Sequence, residues 1–231
     1  MPSKTWTIRY EFSPSTGPAV HVAVVLDVKS GLTTRPLPAQ VPDWVRLEFQ
    51  KCPTCPLKES QSPNCPVALG LLEVVERFRG FASYDQVSVR VVTPDRNYEK
   101  SDVSVQAALS PLVGLVMSTS GCPILGKLRP QARFHLPFAT HLESAARATS
   151  LYLLSQYFVG KRGGEPDWTL EGLSQIYRNV SAVNRAFANR LRAAAPNDAN
   201  VNALIRLDTI SQAVPDIVDN ELEELRFLFE R

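Results

Sequence analysis

The chain has few of the residues and spacings that mark common functional classes. Only three histidines occur in 231 residues, and no H-E-x-x-H, G-x-S-x-G or G-x-G-x-x-G spacing is present. A zincin, a nucleophile-elbow hydrolase and a dinucleotide-binding enzyme therefore have no motif to stand on, and these residues leave open whether the protein is an enzyme at all. No run reaches eighteen consecutive apolar residues, so no segment is expected to span a bilayer. The opening Met1-Pro2-Ser3-Lys4-Thr5-Trp6 lacks the basic-then-apolar order of a secretory leader. Together these absences set the expectation of a cytoplasmic protein with no membrane partner. Net charge is +2 with no block of one sign, so no nucleic-acid footprint is evident. No partner of any other kind is indicated.

Cysteine is also scarce, and its placement is the most specific feature present. All four cysteines precede proline, in Cys52-Pro53, Cys55-Pro56, Cys65-Pro66 and Cys122-Pro123. In a reducing compartment, four thiols are expected as ligands or reactive groups rather than as disulfides. Proline pushes the residue before it toward extended geometry, which holds each thiolate clear of regular structure. The sequence reading is therefore one metal centre bound by Cys52, Cys55, Cys65 and Cys122, with zinc placed ahead of a [4Fe–4S] cluster. Cys52-Pro53-Thr54-Cys55 resembles half of a rubredoxin or zinc-ribbon knuckle, a likeness of four residues that implies no fold. His135 or His141 would complete the set if Cys122 were instead a buried small hydrophobe.

The remaining pattern gives the fold class. Trp6, Ile8, Tyr10 and Phe12 alternate with polar residues, and Val20 to Val28 follows a Ser-Pro-Gly turn cluster. These predict an antiparallel hairpin, with the second strand the more central because both its faces are apolar. Alternation of Val45, Leu47 and Phe49 with Arg46, Glu48 and Gln50 predicts a third strand over 44–50, and Val87, Val89 and Val91 a fourth over 86–93. Between them, Pro66 opens a helix carrying Val67, Leu71, Leu72, Val75 and Phe78. A helix from Ser104 contains Pro111, which predicts a kink or a restart capped by Ser110. Thr140-His141-Leu142-Glu143 reads as a capping box for a further helix. A longer helix runs over 170–191 to Pro196, and two shorter ones cover 200–214 and 218 to the end.

The expected architecture is α+β: a small, mainly antiparallel sheet with one crossover helix, followed by a packed helical C-terminal half. Residues 1–117 form the sheet part with three cysteines, 118–138 an irregular connector with the fourth, and 139–231 the helical part. The leading functional reading is a non-catalytic metal-binding protein whose four-cysteine site joins sheet to helices. Its alternative is an iron–sulfur or thiol redox enzyme or sensor. Arginine outnumbers lysine 18 to 7, and the connector carries Lys127, Arg129 and Arg133. The guanidinium fork suits carboxylate and phosphate, but without a glycine-rich cradle these three read as a solvated loop.

Overall fold

A computed structural model describes residues 4–36, 38–194, 197–220 and 222–230. Four strands, β1 (Thr5–Pro14), β2 (Val20–Asp27), β3 (Gln86–Val92) and β4 (Asn97–Ser104), form one sheet in the order β2-β1-β3-β4. Every pairing is antiparallel. The α+β class holds, with the sheet first and helices dominating the C-terminal half. Ile8, Tyr10 and Phe12 of β1, Val22, Val24 and Leu26 of β2, and Val87, Val89 and Val91 of β3 are all buried. The period-two pattern thus selects one face of the sheet for the core.

The strands depart from expectation in their order and at both edges of the sheet. β2 is an edge, not the centre, but its outer side is not bare. Asp27 N–H donates to Leu32 O at 2.9 Å and Thr34 N–H to Val25 O at 2.8 Å, so the chain doubles back along it. That cover lets a strand apolar on both faces sit at an edge. The other edge, β4, has almost no apolar alternation to announce it. Its exposed Glu99, Lys100 and Asp102 protect that edge, and Arg90 of β3 pairs with Glu99 at 3.1 Å.

The strand expected over 44–50 does not form. Its burial alternates as anticipated, with Trp44, Val45 and Leu47 inside and Arg46, Glu48 and Gln50 outside, but its backbone is a 3-10 turn (Asp43–Val45) and irregular chain. Its carbonyls serve another donor. The guanidinium of Arg190, 1% exposed, donates to the carbonyls of Trp44 at 2.6 Å, Arg46 at 2.7 Å and Leu47 at 3.1 Å. Three carbonyls turned toward one cation cannot also make a ladder.

The helices are α1 (Pro66–Arg77), α2 (Val105–Thr119), α3 (Arg129–Arg133), α4 (His141–Lys161), α5 (Glu171–Ala194), α6 (Ala199–Asp219) and α7 (Glu223–Arg226). Cys65 sits at the N-cap of α1 with Pro66 behind it. Pro111 neither breaks α2 nor starts a new helix. That helix is buried almost all round, so tertiary packing offsets the lost hydrogen bond. Gly114 lets α6 approach: a Cβ there would meet Leu207 Cδ1 at 3.1 Å. The capping box of α4 is present, with Thr140 and Glu143 bonding each other's backbone N–H. Pro196, the expected stop of α5, lies outside the described residues, and α5 extends to Ala194. The two short final helices are instead one long α6, containing Pro215, and the single turn α7. One apolar cluster takes in the inner sheet face, α1, α2, α5 and the first half of α6. A smaller one joins α4, α5 and the end of α6 through Ala148, Leu173, Tyr177 and Val214.

Replacing Arg190 by methionine nearly keeps the volume but leaves the buried carbonyls of Trp44 and Leu47 without this donor, at about 1–3 kcal/mol each where water cannot reach them, while the Arg46 carbonyl keeps Phe49 N–H at 3.3 Å. For a domain of this size about 3 kcal/mol corresponds to a fall in Tm of roughly 6–12 °C. Arg190→Lys should recover only part of it, because an ammonium lacks the planar fork. A melting curve that does not move for Arg190→Met would show that the staple contributes no stability.

Candidate functional site

The cysteines were the expected site. Cys52 and Cys55 lie in a turn closed by Cys55 N–H donating to Cys52 O at 3.0 Å, and Cys65 N–H donates to Val45 O at 2.8 Å. Cys122 follows Gly121, and its N–H donates to Ser120 Oγ at 3.3 Å. All four are free; Cys65 is buried and the others half-buried, and all pack against the main apolar cluster. Their sulfurs do feel one another: burial first, then the neighbouring Cys65, Cys55 and Cys122, push the Cys52 thiol up to about 11. Burial likewise raises Cys122.

That neighbourhood is not a donor set. Among the described residues, no group of three or more His, Cys, Asp or Glu side chains is placed to hold a metal ion. The expected centre at Cys52, Cys55, Cys65 and Cys122, zinc or [4Fe–4S], is thereby overturned. The metal-binding function, structural or redox, loses its basis with it. The physical reason is the environment. Ligation needs sulfurs grouped around one point, whereas these lie singly against the main apolar cluster, where burial raises the Cys52 and Cys122 thiols. The nearby cation, Arg190, is bonded to backbone carbonyls. The substitute histidines do not help: His141 is exposed at the start of α4, and His135 is committed elsewhere.

His135 leads to a different place. Its Nε2 is hydrogen-bonded to the hydroxyl of Tyr10, on the inner face of the sheet, and Tyr98 of β4 donates to the His135 carbonyl at 3.4 Å. Burial brings the imidazole down from 6.5 to about 3, with Arg147 adding to the fall. It is neutral at physiological pH.

Beside it lies a cavity of about 170 Å³ bounded by β4, α2, α3, α4, α5 and α6. Its apolar walls include Leu128, Leu136, Phe138 and Ile210, and its charged residues are Lys100, Arg147 and Arg206. No aspartate or glutamate lines it. Lys100 and Arg206 are exposed, whereas Arg147 is partly withdrawn from solvent. None of the three forms an ion pair among the described residues. Arg147 donates to the Phe134 carbonyl at 3.2 Å, but its buried Nε–H has no acceptor. Burial pulls its guanidinium below the ordinary arginine range, against the smaller opposing influence of Tyr177, Tyr98 and Glu143. Tyr177 accepts at its hydroxyl from Gln131 Nε2 at 2.8 Å, which leaves the phenolic proton free to donate.

Sequence reasoning found no part of this cavity. Its three cations come from three elements, β4, α4 and α6, far apart in the chain, so no local spacing announces them. The signal that existed was the excess of arginine over lysine, 18 to 7. Among the described residues, no helix is long and apolar enough to cross a membrane. The chain belongs to the family DUF6901, a domain of unknown function, whose model matches residues 8–230. No curated protein and no solved structure matches it.

The buried imidazole makes stability pH-dependent. Unfolded His135 takes up a proton near 6.5, but folded His135 does so only near 3. Between those values the unfolded chain binds more protons, so the stabilisation present above about pH 6.5 is lost as pH falls toward 3. At ~1.4 kcal/mol per unit the loss is on the order of a few kcal/mol. His135→Gln, which keeps a hydrogen-bonding group beside Tyr10, should flatten that part of the stability curve in urea melts. An unchanged slope would assign the acid lability to other groups.

Proposed function

We propose that this protein binds a small anionic ligand, a carboxylate or a phosphate, in the cavity lined by Lys100, Arg147 and Arg206. The observation that carries this reading is the lining itself, three cations with no carboxylate among them. Burying part of a guanidinium with an unmatched N–H costs free energy unless an acceptor completes it. An anion completes it, and charge-assisted bonds from arginine are the stronger kind. Two exposed cations at the rim would draw such a ligand in, and Arg147 would hold it inside, beside the hydroxyl of Tyr177. The apolar walls suit a short hydrocarbon body. The volume lies below the roughly 300–1,000 Å³ typical of drug-sized ligands, so the ligand is small. We place this activity in the cytoplasm, where four unpaired thiols are at home.

Thermal melts in inorganic phosphate, acetate or succinate, each matched in ionic strength with sodium chloride, test the reading. A ligand at about a hundred times its Kd stabilises by ~2.7 kcal/mol, or roughly 5–10 °C for this size of domain. Arg147→Gln should weaken that ligand by about 10- to 150-fold, the equivalent of one charged hydrogen bond of 1.5–3 kcal/mol. If none of the three anions exceeds chloride, or if Arg147→Gln responds like the wild type, this cavity is not an anion site.

A further inference from the structure

A second cavity, of about 380 Å³, lies on the other side of α3. It is lined by Trp6 of β1, Leu26 and Asp27 at the end of β2, the following turn, and Gly126, Arg129, Pro130 and Arg133. Ala132 borders both cavities, with Gln131 lining the first and Arg129 and Arg133 the second. Two buried donors here have no acceptor among the described residues, the Trp6 indole Nε1–H and the Arg129 Nε–H. The Arg133 guanidinium lies over the Trp6 ring, 4.6 Å from its centroid.

The one carboxylate in the lining, Asp27, bonds neither donor. Asp27 Oδ1 takes hydrogen bonds from Lys29 N–H at 3.1 Å, Ser30 N–H at 2.7 Å and Ser30 Oγ at 2.8 Å, so it closes its own turn. Neither Arg129 nor Arg133 has an ion pair among the described residues, and Arg129 donates only to the Ser30 carbonyl at 3.2 Å. The pocket therefore offers unmatched N–H donors, a flat aromatic-guanidinium pair, and apolar wall from Leu26, Val28 and Pro130.

We infer that this cavity is a second binding site, selective for a small organic carboxylate with a flat apolar body. The carboxylate oxygens meet Trp6 Nε1–H and the Arg129 guanidinium, and the body lies along the slab formed by Trp6 and Arg133. Both N–H groups are buried, so binding includes a movement of the Arg133 side chain along the indole face, a contact whose strength at partly exposed sites is modest. Each unmatched donor is a group for which water has been removed without replacement, and the bound oxygens restore what was lost. The volume falls within the range of ordinary small-molecule pockets. This site does not depend on the Arg147 cavity.

Benzoate is the probe, and the indole N–H signals of 15N-labelled protein are the readout. The chain has three tryptophans, and Trp6→Phe identifies the signal of Trp6. Titration with sodium benzoate, against a sodium chloride series, should move the Trp6 signal downfield to saturation. The buried Trp44 should stay fixed, as should the exposed Trp168, which reports non-specific contact. Arg129→Gln should weaken the response at least about tenfold, as expected for a charge-assisted bond of 1.5 kcal/mol or more. Arg133→Gln offers a second variant if the first fails to fold, and should weaken benzoate more than acetate. Arg147→Gln should leave the titration unaltered, which separates this site from the other. A Trp6 signal that does not saturate, or a folded Arg129→Gln and Arg133→Gln that both respond as the wild type does, overturns the inference.

Discussion

One guanidinium ties the two ends of this chain together. Arg190, from the last third of the sequence, reaches carbonyls of Trp44, Arg46 and Leu47 more than 140 residues earlier. A charge in that position is tolerable only because its donors are used, and carbonyl dipoles are the partners that require no buried anion. The consequences extend outward from there. The 44–47 segment is held against α5, and in turn its Leu47 N–H donates to Pro63 O and its Val45 O accepts from Cys65 N–H. Those bonds place the first residue of α1. The loop carrying Cys52 and Cys55 hangs between these two fixed points.

The same chemistry, with a different outcome, describes the region around α3. There, guanidinium groups are again drawn partly out of water, but the protein supplies too few acceptors. Arg129 and Arg147 each make one carbonyl contact and each retains a buried N–H with none. Arg190 also keeps a buried Nε–H without an acceptor, but its two terminal nitrogens are bonded to three backbone carbonyls. Where the chain leaves such groups incomplete beside open volume, an external acceptor is the simplest way to complete them. A net charge of only +2 conceals this, because the carboxylates pair elsewhere, on the sheet face, along α1 and at α7.

The cysteines illustrate why a strong local motif need not become a site. The Cys65-Pro66 step does what its stereochemistry dictates, with Cys65 extended at an N-cap. Thiolate ligation depends on something no dipeptide encodes, which is how much water and positive charge surround the sulfur. In this fold the sulfurs lie against the apolar cluster, and desolvation raises the Cys52 and Cys122 thiols.

Local periodicity was enough to identify β1, β2, β3, α1, the capping box of α4 and the length of α5. In each, burial of one face and the backbone geometry are the same constraint. It also identified which residues of 44–50 are buried, since the alternation there is real. It did not determine where their carbonyls would bond, because the deciding donor lies on α5. It missed β4, an edge strand stabilised by pairing rather than by an apolar face, and it divided α6 at a proline that packing carries through. Above all, it gave no hint of either cavity. Charges set far apart along a chain share a pocket only after the sheet and helices have closed around α3, and that closure is a property of the tertiary structure alone.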